Sequence, residues 1–65
     1  MNGRVSTFDA PRGLGEIVTA EGTVYPFHCT EIADGTRLID VGTNVRFVPL
    51  AKLGRLEAAR IETVP

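Results

Sequence analysis

Tryptophan is absent from this sequence of 65 residues, and aromatic residues of all kinds make up only 6% of it. Its single cysteine, Cys29, excludes an internal disulfide and a zinc site built from several cysteines. No apolar run approaches the ~20 residues that a membrane span requires, and Met1 is not followed by a secretion signal. Because secreted domains of this size usually carry several disulfides, these absences predict a cytoplasmic protein.

An excess of positive charge is also missing. Seven basic residues stand against eight acidic ones, the formal net charge is −1, and there is no run of lysine or arginine. Proteins that hold nucleic acid mainly through phosphate contacts tend to be basic, at least in one patch. The electrostatics of the whole chain therefore do not favour a polyanion.

The composition that is present is typical of a folded domain. Hydrophobic residues make up 43% of the chain and charged residues 23%, which is ordinary for a soluble globular domain. The length predicts one domain over residues 1–65, with a modest core and marginal stability.

Glycine and proline divide the chain into short segments rich in β-branched and aromatic residues. These segments predict strands over residues 4–8, 16–19, 24–28, 44–48 and 56–64. The last could be helical by propensity, but the alternation of Ala59, Ile61 and Thr63 favours a strand. One helical turn is predicted over residues 30–33, with Thr30 as its cap and residues 34–35 as its stop. Five short strands with regular turns indicate a small all-β barrel or sandwich.

The strand pattern also predicts which side chains face inward and which strand lies at an edge of the sheet. Pro26 lacks a backbone N–H, so it should lie at a sheet edge or a bulge. The predicted core consists of the side chains in the inward phase of each segment: Val5, Ile17, Phe27, Ile32, Val45, Phe47 and Ile61.

Five short motifs, spread over nearly the whole chain, carry a family likeness. They are GRVSTFD at 3–9, RGLGEI at 12–17, YPFHCTEI at 25–32, VGTNVRF at 41–47 and AARI at 58–61. In this order and spacing they resemble the motifs of bacterial cold-shock domains, usually written G-x-V-K-W-F-N, K-G-F-G-F-I, V-F-V-H-x-S-A-I, E-G-Q-x-V-x-F and A-A-N-V. Each match alone is weak, but together they imply that family's fold, a five-stranded antiparallel Greek-key barrel of the OB type.

The resemblance also implies a site. In that family, exposed aromatic side chains from the first three strands and the following loop stack on the bases of single-stranded RNA or DNA. Of the usual contact set this sequence keeps Phe8, Arg12 and His28, and Leu14 still offers apolar contact to a base. The resemblance therefore implies a nucleic-acid site formed by these four residues.

Most of the other stacking positions have changed. The family's aromatic residues are replaced here by Thr7, Leu14, Glu16, Pro26, Cys29 and Thr36. Base–aromatic stacking is worth ~1–3 kcal/mol per base, so the loss of four platforms removes ~4 kcal/mol or more. That loss is about a thousandfold in affinity. The expected function is weak, low-specificity binding of single strands, with RNA preferred over DNA.

The replaced positions support a second hypothesis. Thr7, Leu14, Pro26 and Cys29 are expected to cluster on one mildly apolar side of the barrel, which suits contact with a protein. The alternative function is a protein-interaction module that has kept the barrel and lost nucleic-acid binding. Two of the candidate site residues also have a purely structural interpretation. Arg12 can be a solvated turn residue, and Phe8 can pack over the rim of the barrel.

Catalysis and cofactor binding find little support in the sequence. Cys29 has no base and orienting partner of the kind a nucleophile needs, since His28 is the only histidine. Two adjacent ligands, His28 and Cys29, make a poor metal site. The pair Gly13 and Gly15 is a weak phosphate-loop signal without a following G-K-[ST]. The sequence predicts no enzyme activity, no cofactor and no metal.

Overall fold

The computed structural model describes residues 1–65 and contains five β-strands and one short 3-10 helix. The strands are β1 (Asn2–Asp9), β2 (Leu14–Val18), β3 (Val24–His28), β4 (Asn44–Lys52) and β5 (Arg55–Thr63). The helix, Cys29–Glu31, follows β3 directly. The five predicted strands are confirmed, and the strand rather than helix at the end of the chain is confirmed with them. No helix has the length and apolar character needed to cross a membrane.

All strand pairs are antiparallel, and their order in the sheet is β3-β2-β1-β4-β5. A bulge between Val5 and Thr7 in β1 and a second irregularity in the β4–β5 pair increase the bend of the sheet. The bend lets the two outer strands, β3 and β5, pack against each other. Pro26 lies in β3, an edge strand of the ladder, as its missing N–H predicts.

The core lies inside this curved sheet. All seven predicted core residues are buried in one cluster, so that prediction is confirmed. Tyr25 joins them, because it has the same inward phase as Phe27 on β3, and its ring lies 5.1 Å from that of Phe47. Ala58 is also buried in the cluster. Strand alternation therefore decides most of the interior.

The helical turn differs from its prediction in position and in cap. It spans Cys29–Glu31, and His28 is its N-cap, with Nδ1 accepting a hydrogen bond from the Thr30 amide at 3.2 Å. The turn ends before residue 34, because Ile32 is already extended and forms a bridge to Ile61 of β5. The predicted cap and stop are therefore wrong.

Cys29 is the second correction. It was expected on the exposed face with Thr7, Leu14 and Pro26, but it is only 6% exposed and belongs to the core cluster. The strand ends at His28, so the alternation that would place the next side chain outward no longer applies. The Cys29 amide donates to the Gly13 carbonyl at 2.7 Å. A Cβ at Gly13 would lie 2.7 Å from the Cys29 sulfur, so the glycine makes room for the buried thiol.

Candidate functional site

The outer face of β1, β2 and β3 carries two rungs of side chains. In one rung, Leu14 lies opposite Asp9 on β1 and opposite His28 on β3. In the next rung, Glu16 lies opposite Thr7 and Pro26. Residues two apart on a strand share a face, so the two rungs form one continuous surface. Leu14 is 47% exposed on this surface.

A shallow groove of about 410 Å³ runs over the two rungs. We call it the rung groove. It is lined by Thr7, Leu14, Gly15, Glu16, Pro26, Phe27, His28, Arg55 and Glu57. Its two β5 residues, Arg55 and Glu57, were not predicted from the sequence. They reach the groove because β5 packs against β3; the only sequence signal is that residues 55 and 57 share a face of their strand.

His28 presents its ring to this groove in a fixed orientation. The Thr30 amide donates to Nδ1 at 3.2 Å, and the Thr30 hydroxyl lies 3.0 Å from the same atom. A backbone N–H can only donate, so Nδ1 accepts, and the neutral ring carries its proton on Nε2. His28 is exposed. Its ring face and its Nε2 proton are therefore available to a ligand.

Phe8 lies on the other side of the sheet from the rung groove. It is opposite Gly15, and Gly15 is opposite Phe27, so these three form an inward rung. The half-buried Phe8 ring stacks on that of Phe27, with centroids 6.0 Å apart and planes within 8°. A Cβ at Gly15 would lie 2.6 Å from the Phe27 ring, so only glycine fits between the aromatic residues. Phe8 covers the rim of the core and does not line the groove.

Arg12 lies beside the groove, in the turn that leads into β2. The turn is closed by bonds from the Arg12 and Gly13 amides to the Asp9 carbonyl, at 3.2 and 2.8 Å. The Arg12 side chain is exposed and forms an ion pair with Asp9 at 3.6 Å. Of the four site residues predicted from the sequence, the structure thus joins Leu14 and His28 in the groove, sets Arg12 at its edge and separates Phe8 from it.

The charges around the groove are nearly balanced. Arg55 pairs with Glu57 at 3.3 Å, as Arg12 does with Asp9. The Arg12–Asp9 pair is exposed and contributes ~0–1 kcal/mol, so Arg12 can exchange its carboxylate for a phosphate at little cost. The Glu57 side chain is only 20% exposed, although its partner Arg55 is exposed. Glu16 takes part in no ion pair, and the partner of its carboxylate is the Thr7 hydroxyl at 3.4 Å.

Thr36 occupies the position of a loop aromatic residue in cold-shock domains, and here it forms hydrogen bonds within its own loop. Its amide and hydroxyl donate to Asp34 Oδ1 at 2.9 and 2.8 Å. Both bonds lower the pKa of Asp34 from its usual 3.8, and the bond from the amide has the larger effect. Thr36 does not line the rung groove.

The largest concavity of the molecule, about 640 Å³, lies away from all of these residues. It is lined by β1, the end of β2 with the residues that follow, the start of β4 and the C-terminal residues, and Arg4 is its one charged side chain. It contains none of the predicted site residues. No group of three or more histidine, cysteine, aspartate or glutamate residues is arranged to hold a metal ion.

Comparison with known proteins relates this chain to a solved structure. No protein-family model and no curated protein matches the sequence. The solved structure of drosophila Unr CSD456 matches with a TM-score of 0.82 and 31% sequence identity, over 98% of this chain and 26% of that chain. The chain thus spans about a quarter of the length of that structure. The five antiparallel strands have the OB-type fold of a cold-shock domain, which is a nucleic-acid-binding fold.

Proposed function

We propose that this protein binds single-stranded nucleic acid through the rung groove, weakly and with low overall specificity, and prefers RNA to DNA. The observation that carries the proposal is the rung in which Leu14 and His28 lie side by side on an exposed sheet face. An imidazole ring can stack on a base, and an exposed leucine can cover part of a second one.

The expected affinity is low because the groove holds one stacking ring. Each base–aromatic stack is worth ~1–3 kcal/mol. His28 is the only aromatic-type ring exposed in the groove, since Phe27 is buried beneath it. We expect dissociation constants on the order of tens of micromolar or weaker, within the range of non-specific binding at physiological salt.

The electrostatic contribution is expected to be small as well. Arg55 lines the groove and Arg12 lies in the turn just before Leu14, and both arginines are exposed. Two phosphate contacts to a single strand give a slope of about −1.4 in log K against log salt concentration. A net charge of −1 adds no long-range attraction beyond these contacts.

Polar side chains in the groove support a preference for RNA. The Thr7 hydroxyl and the carboxylates of Glu16 and Glu57 line it. The ribose 2′-hydroxyl can donate to such groups, and DNA lacks this hydroxyl.

The alternative, a protein-contact surface on the same face, has less support. Cys29 is buried, and Pro26 is half-buried beside the charged Glu16. Leu14 is the one large hydrophobic residue that the face exposes. The cores of protein interfaces are depleted of charged residues, whereas this face has a carboxylate at its centre.

Fluorescence anisotropy with labelled heptamers of uridine and thymidine, at two salt concentrations, tests the proposal. We expect weak binding that is tighter for RNA, and at least a fivefold loss in His28→Ala, which is about 1 kcal/mol. Leu56→Ala is the control, because Leu56 is exposed but does not line the groove. Circular dichroism checks that each variant folds. Nanomolar binding, absence of binding, or equal affinity of wild type and His28→Ala would each overturn the proposal.

A further inference from the structure

Glu16 is the one groove residue whose charge opposes a phosphate backbone without local compensation. The carboxylates of Asp9 and Glu57 are neutralised by Arg12 and Arg55, at 3.6 and 3.3 Å. Glu16 has no cationic partner and lies at the centre of its rung, with Thr7 on one side and Pro26 on the other. A free carboxylate at this position suits contact with a hydrogen-bond donor.

The surroundings of Glu16 leave most of its carboxylate free. The Thr7 hydroxyl donates to Oε1 at 3.4 Å. An ionised carboxylate has about four acceptor positions, so one bond from Thr7 leaves room for two parallel donors. The half-buried ring of Pro26 is the neighbour on the other side. Glu16 is therefore an exposed acceptor that lines the groove.

The spacing of the rungs relates Glu16 to the stacking position. Leu14 and Glu16 are two residues apart on β2, which corresponds to about 7 Å along the strand. At this distance, a base stacked on the Leu14–His28 rung can reach the next rung with one edge. The group that meets this edge is the Glu16 carboxylate.

Only one of the four common bases presents two adjacent donors on its Watson–Crick edge. Guanine offers N1–H beside the N2 amino group, which matches the two oxygens of a carboxylate. Adenine and cytosine each place an acceptor nitrogen beside their amino group, and uracil places carbonyl oxygens on both sides of its N–H. Hydrogen bonds to an ionised acceptor are the strong ones, and a bidentate pair adds geometric selectivity.

We propose that Glu16 makes the rung groove select guanine at one position of a bound single strand. This inference rests on the proposed function and deepens it: the strand is held weakly, and one of its bases is read. Because the groove is open to water, the preference is expected at the lower end of a bidentate base contact, about five- to tenfold.

Five RNA heptamers at one salt concentration test the inference: all-uridine, and the same strand with guanosine, inosine, adenosine or cytidine at its centre. Guanosine should tighten binding about five- to tenfold over uridine. Adenosine should not, although it is also a purine. Inosine lacks the 2-amino group and should lose most of the gain.

Variants assign the preference to the carboxylate. Glu16→Gln keeps the size of the side chain but replaces one acceptor by a donor, so it should abolish the guanosine preference while all-uridine binding stays or tightens slightly. Glu21→Gln makes the same change of charge in an exposed turn outside the groove and should keep the preference. Heptamers that bind equally well, or a preference that survives Glu16→Gln, would overturn guanine selection and leave single-strand binding intact. Failure of every heptamer to bind would overturn the proposed function and the inference together.

Discussion

Asp34 and Thr36 stabilise the loop between the 3-10 helix and β4 through two short hydrogen bonds. Both bonds are donated by Thr36, from its amide and from its hydroxyl, and both end on Asp34 Oδ1. They favour the ionised carboxylate, so the pKa of Asp34 is lowered from 3.8, with the amide bond as the larger cause. A carboxyl group whose folded-state pKa is depressed stabilises the fold above its unfolded pKa. That contribution is lost as the pH falls through the folded-state value.

Thr36→Val separates the two bonds, because it removes the hydroxyl and keeps the amide. The pKa of Asp34, followed by NMR of its carboxyl carbon, should rise towards 3.8 without reaching it. The matched control is Thr43→Val, since the Thr43 hydroxyl donates to the Asp40 carbonyl at 2.7 Å and leaves Asp34 untouched. An Asp34 that titrates at or above 3.8 in the wild type would contradict the hydrogen-bonding explanation.

At the scale of one element, the β4–β5 hairpin contains a strained turn. Lys52 is opposite Arg55, and the two residues between them, Leu53 and Gly54, have φ values of 50° and 84°. Two central residues with positive φ define a type I′ turn, which favours Asn-Gly. A left-handed conformation costs a residue with a Cβ ~1–2 kcal/mol. Leu53 is fully exposed, so no burial offsets this cost.

Leu53→Asn should therefore stabilise the protein by ~1 kcal/mol, because asparagine tolerates the left-handed conformation. Urea denaturation monitored by circular dichroism measures the change. Leu50→Asn introduces the same residue at an exposed position within strand β4 and should give no gain. A Leu53→Asn variant less stable than the wild type would show that the leucine contributes a contact that outweighs its strain.

The elements also show where sequence patterns stop being sufficient. Strand β3 was predicted with its observed bounds, because its alternation is clear and ends at a turn. Strand β4 continues to Lys52, four residues beyond its prediction, because residues 48–52 pair with residues 55–59 across the hairpin. The side chain of Cys29 could not be placed by alternation, since a 3-10 turn begins at that residue. His28 is an uncommon cap, and propensity gave no reason to choose it.

At the scale of the whole molecule, the core was easier to predict than the groove. Burial follows from a period of two within each strand, so Val5, Ile17 and Phe47 could be placed without knowing the topology. The second wall of the groove depends on contact between β5 and β3, which are separated by the 26 residues 29–54. No local pattern carries that contact, so Arg55 and Glu57 were missed.

The arrangement of β1, β2 and β3 in the barrel makes a gain-of-function experiment possible. Thr7, Glu16 and Pro26 form one rung and Leu14 belongs to the next, so these four of the six replaced stacking positions lie on a single outer face. The variant with Thr7→Trp, Leu14→Phe, Glu16→Phe and Pro26→Phe should bind an all-uridine heptamer more tightly by ~4 kcal/mol or more. That gain is about a thousandfold. The probe contains no guanine, so the loss of Glu16 does not affect the comparison.

The control variant must add aromatic side chains to the protein surface without placing them on the outer face of β1, β2 and β3. Val48→Phe and Leu56→Phe together do so, because both residues are exposed and neither lines the rung groove. Dissociation constants of wild type, four-site variant and control are measured at one salt concentration, with circular dichroism to check the fold. Pro26→Phe also returns a backbone N–H to the edge strand, so folding should not suffer there. A folded four-site variant that gains less than about tenfold, ~1.4 kcal/mol, would mean that the barrel no longer presents its strands to a nucleic acid. The face would then be better explained as a surface for a protein partner.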